Sequence, residues 1–337
     1  MSYFVTGATG FIGRYLVQSL LARGKGTVYV LVRAKSATRL DELHEFWGKD
    51  ARRRVVPIKG DLTQPKLGLS RTDLAKLKGK VKHFYHLAAV YDIEASATSM
   101  STANVLGTEN AIAAAESINA GCFHMVSSIA AAGLYRGTFT EDMFEEAEEL
   151  DHPYHRTKHD SERLVRETCK VPWRVYRPGA VVGHSQTGQI DKIDGPYYFF
   201  KALQKLRSSW PSLIPLVGME GGYVNLVPVD YVVDAMAHLS HARGLDGRAF
   251  HLTDPKVRRV GEILNIFARA AHAHEFVMRI DSKLLDMVPE GVKLGVARTK
   301  PLQSVFEQIL KDLRIPREVL KFVNYPTRFD SSETQAL

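Results

Sequence analysis

Short apolar runs and helical stretches alternate along the first half of the chain. Residues 3–6 read as a strand, and 11–22 as a helix closed at Arg23-Gly24. Residues 27–32, TVYVLV, form a continuous run rich in β-branched side chains, as in a strand covered on both faces. Runs at 55–58, 84–87, 123–126 and 174–176 repeat the theme, with helical stretches at 39–47, 71–77, 103–117 and 154–167. Strand alternating with helix predicts an α/β fold: a Rossmann-type, doubly wound parallel sheet. After Arg177 the rhythm changes. A loop, HSQTGQIDKIDGP at 184–196, leads to the apolar YYFFKALQKL, a strand-like YVNLV at 223–227, and helices near 231–241, 260–271 and 302–313. The expected organisation is a larger domain, 1–182 with a returning segment at about 223–254. A smaller, interwoven C-terminal lobe takes 183–222 and 255–330, and the polar tail 331–337 is expected to fray.

Composition narrows the class. At 337 residues, with 45% hydrophobic and 24% charged, the chain is an ordinary soluble globular protein that builds its core without staples. Cys122 and Cys169 are far apart and no CxxC occurs, which points to a reduced compartment and no structural zinc. The start, MSYFVTGATG, lacks the regions of a signal peptide, and the longest apolar run, CFHMVSSIAAAGLY, contains His124 and two serines. A cytoplasmic protein with no transmembrane segment is expected. The net charge of +8 suits a polyanion: a phosphorylated cofactor, an acidic carrier protein, a lipid surface met peripherally, or nucleic acid. The basic residues are scattered and the densest run, 52–54, is short and in a predicted loop, which argues against nucleic acid. His272 and His274 are two apart, do not share a helix face and read as surface histidines, so no metal is expected.

The first candidate chemistry is Thr6-Gly7-Ala8-Thr9-Gly10-Phe11-Ile12-Gly13, between the first strand and the first helix. Glycines there let the backbone turn sharply and approach a pyrophosphate at the helix N-terminus. The plain alternative is an ordinary tight turn. The GxxGxxG spacing resembles the extended branch of the short-chain dehydrogenase/reductase superfamily. Where an Asp or Glu would select NAD by binding the ribose, the chain has Arg33, with Arg14 and Lys35 nearby. Cations there favour a 2′-phosphate, hence NADPH/NADP; otherwise Arg33 is a solvated charge at a strand end. The resemblance implies further cofactor contacts from Asp61, toward the adenine amino group, and from Leu62, Ala88, Ala89, Tyr91, Ser127, Pro178, Gly179 and Val181.

Two Tyr-x-x-x-Lys pairs occur, Tyr154/Lys158 in HPYHRTKHDSER and Tyr197/Lys201 in YYFFK. Ser128 follows the fifth strand, at the edge where such sheets bind ligands. The superfamily order is Ser, then Tyr-x-x-x-Lys, and Tyr154 satisfies it. Tyrosine has an ordinary pKa near 10, and a close ammonium favours the phenolate, so Lys158 is expected to bring Tyr154 toward working pH. Ser128 would polarise a substrate carbonyl. The resemblance adds Asn104 as a proton-relay residue.

Several stretches narrow the likeness: HLAAVYD (86–92), VSSIAAAG (126–133), YRPGAVVGHSQTG (176–188), KIDGPYYFFK (192–201), NLVPVDYVVDA (225–235) and NYPTRFD (324–330). They resemble the N-terminal reductase domain of two-domain bacterial fatty acyl-CoA reductases and, more distantly, the reductase domains of carboxylic acid reductases. The resemblance implies reduction of a fatty acyl-CoA or fatty aldehyde toward the alcohol, with a second reductase domain as partner in a full-length protein. Tyr197, Tyr198, Phe199 and Phe200 are then candidates to wall a lipid tunnel. Lys192, Lys201, Lys205 and Arg207 are candidates to meet CoA or carrier phosphates. A core helix with a solvated basic edge is the bland alternative. Rival functions are a nucleotide-sugar epimerase or dehydratase, and a non-catalytic dinucleotide sensor.

Overall fold

The computed structural model describes residues 1–33, 37–89, 97–191, 197, 200, 207, 216–220, 222–273, 275–281 and 325–337. The expectations at Lys35, Tyr91, Lys192, Tyr198, Phe199, Lys201, Lys205 and His274, and the helix at 302–313, lie outside the described residues.

Among the described residues, seven parallel strands form one sheet. They are β1 (Ser2–Thr6), β2 (Val28–Val32), β3 (Val55–Lys59), β4 (Val81–His86), β5 (Cys122–Val126), β6 (Trp173–Pro178) and β7 (Arg248–Leu252). The spatial order is β7-β6-β5-β4-β1-β2-β3, so the winding reverses between β1 and β4, where open α/β sheets bind ligands. Alternate side chains of each strand feed two separate cores. Tyr3, Val5, Tyr85 and Tyr176 face one core with α1 (Phe11–Arg23). Phe4, Phe84 and Phe123 stack across neighbouring strands on the other, with ring centroids 4.7 and 5.4 Å apart. Each such fully buried apolar side chain contributes about 1.5–3 kcal/mol.

Among the described residues, the remaining α-helices are α2 (Ala37–Trp47), α3 (Ala51–Arg54), α4 (Arg71–Leu77), α5 (Ala97–Ser101), α6 (Gly107–Ser117), α7 (Pro153–Thr168), α8 (Val229–His241), α9 (Val260–Ala270) and α10 (Ser332–Gln335). The chain divides into two compact units. One comprises 1–190, 226–255 and 329–337; the other comprises 191–225 and 256–328. Within the second, Leu216–Glu220 pairs parallel with Phe276–Asp281.

Four expectations change. The run at 223–227 is two strands, not one: Tyr223–Val224 pairs with Arg258–Arg259, and Leu226–Pro228 with Ala180–Val182, because the unit boundary falls between Asn225 and Leu226. Residues 52–54 are helical rather than loop, and the Arg54 guanidinium donates to the carbonyls of Leu21, Gly24 and Gly26, closing the end of α1. The helix expected at 103–117 begins as a π turn, Thr102–Leu106, before α6. The tail is not frayed: α10 is anchored where the Thr334 N–H and hydroxyl both donate to the buried Glu141 carboxylate. Among the described residues, no helix is long and apolar enough to cross a membrane. No group of three or more His, Cys, Asp or Glu side chains there is placed to hold a metal ion.

Candidate active site

The glycine turn links β1 to α1. Gly7 has φ +74°, and a Cβ on it would lie 2.8 Å from the Ala88 nitrogen. A Cβ on Gly13 would fall 2.1 Å from the Gly7 carbonyl oxygen, so the first turn of α1 presses directly on the loop. Gly10 caps α1 without a side chain, and the first turn of α1 holds no acidic residue. The positive end of the helix dipole is therefore presented to an anion such as a pyrophosphate. Thr9, Phe11 and Ile12 flank this end, half-buried. Thr6 is fully buried; its hydroxyl contacts His86 Nδ1 at 2.9 Å and accepts from the Ala88 N–H at 3.3 Å, supporting the turn from behind.

The ribose end is electropositive. Arg33 is exposed just past β2, and its charge reaches Asp61 just past β3. The Asp61 carboxylate accepts from the Thr63 N–H at 2.9 Å and hydroxyl at 2.8 Å, which hold it below the usual carboxylate range. The Arg14 guanidinium lies over the rings of Phe11, Tyr15 and Phe46 at 5.4, 5.0 and 5.4 Å. Leu62 accepts from the Asn110 side chain through its carbonyl, at 2.8 Å. Ala89 is exposed beyond β4. Pro178 ends β6, Gly179 donates its N–H to the Leu252 carbonyl at 3.1 Å, and Val181 lies half-buried in the next short strand.

Ser128 stands at the C-terminal end of β5, where its hydroxyl accepts from the Ala130 N–H at 3.2 Å. The Tyr154 side chain, from the first turn of α7, is hydrogen-bonded to Ser128. His152 caps that helix through Nδ1 and Pro153 fixes its first turn, so local sequence sets the position of Tyr154. One turn on, Lys158 is buried and donates to the Val126 carbonyl at 3.4 Å. The π turn pushes Asn104 against α7: its amide donates to Thr157 Oγ1 at 3.3 Å, and its carbonyl accepts from Thr108 and Ser161 at 2.7 and 3.0 Å. The structure thus brings Ser128, Tyr154, Lys158 and Asn104 together around one end of α7. Tyr197 instead sits in the second unit, edge-on to Phe200 at 5.2 Å.

Burial pushes the Tyr154 phenol above its ordinary value, and the Ser128 hydrogen bond pulls it back. The Lys158 ammonium is itself desolvated and directed at the Val126 carbonyl; burial brings it down to about 8, with the Glu162 charge opposing.

A family described as male sterility protein, an NAD-binding domain, matches residues 5–236. The chain belongs to this family. One component of the linear gramicidin synthase of Brevibacillus parabrevis is 30% identical over 274 residues, which is 77% of this chain and 5% of that protein. Aldehyde reductase lnbA of Aspergillus flavus is 30% identical over 271 residues, 75% of this chain and 26% of that protein. The chain therefore spans only a fraction of these relatives. Among solved structures, the terminal R domain from the myxalamid PKS-NRPS biosynthetic pathway is 27% identical with a TM-score of 0.75, covering 99% of this chain and 84% of that one. A UDP-glucuronic acid 4-epimerase from Bacillus cereus, in complex with NAD, shares the fold at 21% identity and TM-score 0.60.

This member of the male sterility family is an oxidoreductase of the extended short-chain dehydrogenase/reductase class, and it binds a nicotinamide dinucleotide. Behind its site lies a group that the sequence reading missed. Glu162 is fully buried one turn beyond Lys158. Its carboxylate accepts from Arg177 at 2.7 Å, from Arg166 at 2.9 Å and from the Ser127 hydroxyl at 2.9 Å. The Ser127 hydroxyl is thus turned inward, onto this carboxylate. The available signal was the i,i+4 spacing of Lys158 and Glu162 on one helix face.

Proposed function

We propose that this domain uses NADPH to reduce an acyl thioester, or the aldehyde formed from it, and that its acyl group is a long fatty chain. The observation that carries the reading is the Ser128–Tyr154 hydrogen bond at the ligand-binding edge of the sheet, with buried Lys158 one turn below. Family membership, the likeness to a terminal R domain and the identity with an aldehyde reductase support the reductase class. Arg33 and Arg14, in place of an acidic residue, support a 2′-phosphate on the cofactor. The fatty chain rests on the narrower sequence likeness and on the apolar PYYFF segment, whose Tyr197 and Phe200 join Phe267 in an aromatic cluster.

When bound, the reduced nicotinamide supplies a hydride to the carbonyl carbon. Ser128 holds the carbonyl oxygen as charge develops on it. Tyr154 would deliver its proton to that oxygen when an aldehyde becomes the alcohol; with a thioester the C–S bond breaks as the oxyanion collapses to the aldehyde, and the proton would go to the departing thiolate. Lys158 would hold the cofactor ribose, and its positive charge would stabilise the phenolate that Tyr154 leaves behind. Asn104, whose amide meets Thr157 on α7, would help to relay the proton.

The test is NADPH oxidation, followed in parallel with a long-chain aldehyde, a long-chain acyl-CoA and a UDP-sugar. Oxidation with either lipid and not with the sugar is expected. Turnover of the sugar nucleotide, or of none of the three, overturns the reading.

A further inference from the structure

Glu162 carries no role in the chemistry just described, yet it is the most densely bonded side chain behind the site. Both carboxylate oxygens are committed: Oε1 to Arg166 and to Arg177, Oε2 to Ser127 and to Arg177 Nε at 3.1 Å. Arg177 is in turn fixed by His251 Nε2 at 3.2 Å and the Met143 carbonyl at 2.9 Å. The carboxylate therefore has a single position. From it, Glu162 touches the residue next to Ser128 on one side and lies one helical turn from Lys158 on the other.

We propose that Glu162 is a positioning residue for the reduction: it holds Lys158 as an ammonium, and through Ser127 it fixes the strand end that presents Ser128. The proposal rests on the reading of Ser128, Tyr154 and Lys158 given above. A buried ammonium without a nearby negative charge releases its proton readily. Glu162, one turn on along the same helix, and His86, at the end of β4, interact electrostatically with Lys158, and Tyr154 lies one turn before it on that helix. Burial first and Lys158 second hold His86 down at about 3, so it is neutral at working pH and gives Lys158 no counter-charge. Glu162 is the acid that acts on Lys158, and it raises the lysine against burial. Arg166 and Arg177 keep Glu162 ionised: burial alone would raise it, but these cations hold it at about 2.

Two variants move the lysine in opposite directions. Glu162→Gln removes the negative charge and leaves two cations behind it. The alkaline limb of kcat/KM, and of NADPH binding measured by fluorescence, should move at least one pH unit lower, roughly tenfold in the titration constant. Arg166→Gln removes a competing cation at the partly exposed side of the cluster, and should move both limbs upward. Circular dichroism reports whether each variant is folded. A folded E162Q with limbs at the wild-type pH overturns the proposal. If E162Q does not fold, R166Q decides: an upward shift sustains the proposal and an unmoved limb overturns it. If the wild type turns over no carbonyl substrate, the reductase reading fails, while the NADPH titration still decides the role of Glu162.

Discussion

Arg177 and Glu162 meet at 2.7 Å with side chains 1% and 0% exposed, deep behind the end of β5 that carries the candidate catalytic serine. A buried pair of this kind is weak evidence of stability when intact, but removing one partner strands the other charge in a low-dielectric interior. Arg177→Met is expected to cost about 3–5 kcal/mol, toward the lower figure because Arg166 remains. Chemical denaturation at neutral pH measures it. Glu162 is held down at about 2, below its ordinary 4.5, so its contribution is present above 4.5 and fades as pH falls toward 2. The deficit of the variant should therefore narrow across that window.

Tyr154→Phe keeps the ring and removes the proton donor. Turnover should fall by about 10²–10⁴. NADPH affinity, measured by fluorescence titration, should change little, since the phenol is assigned to the carbonyl oxygen. Retained turnover would remove Tyr154 from the chemistry.

Arg33→Asp places an acid at the end of β2, where a ribose 2′-hydroxyl would be recognised. The ratio of kcat/KM for NADPH over NADH should fall at least tenfold. An unchanged ratio would mean that the charge at position 33 does not read the cofactor.

Acid should destabilise the fold through histidines kept neutral in the interior. His86 lies between Thr6 and Thr108, and burial brings it to about 3. His251 lies between Arg177 and the Asp330 carbonyl and is also at about 3, from burial and then Arg177. Their folded values are below the unfolded one of about 6.5, so the unfolded chain binds more protons between the two. Stability should fall as pH drops from about 6.5 toward 3, by up to ~1.4 kcal/mol per unit for each histidine. Denaturation midpoints at stepped pH measure the slope, and His86→Gln should reduce it.

Thr334→Val removes a hydroxyl donor from the buried Glu141 carboxylate while keeping side-chain volume. A cost of about 1–3 kcal/mol is expected, because the carboxylate is left undersatisfied. Equal stability of wild type and variant would show that the Thr334 hydroxyl adds nothing to the anchoring of the tail.

Much of this protein is written locally. Alternating apolar runs give the parallel α/β order because strands covered on both faces need no polar alternation. The glycine turn is legible because Gly7 and Gly13 answer steric demands a few residues away. Tyr154 could be chosen over Tyr197 because the serine-then-tyrosine order along the chain follows the order of strands. The sequence does not reveal the partners of buried polar groups. Glu162 takes one arginine from its own helix and another from β6, and Thr6 takes His86 from β4. Tertiary structure also decided that the polar tail is anchored, through Glu141, and that RAFHL forms the seventh strand. Periodicity tells which face of an element is buried. A buried charge or hydroxyl must be paired, and the fold alone decides which distant strand or helix supplies its partner.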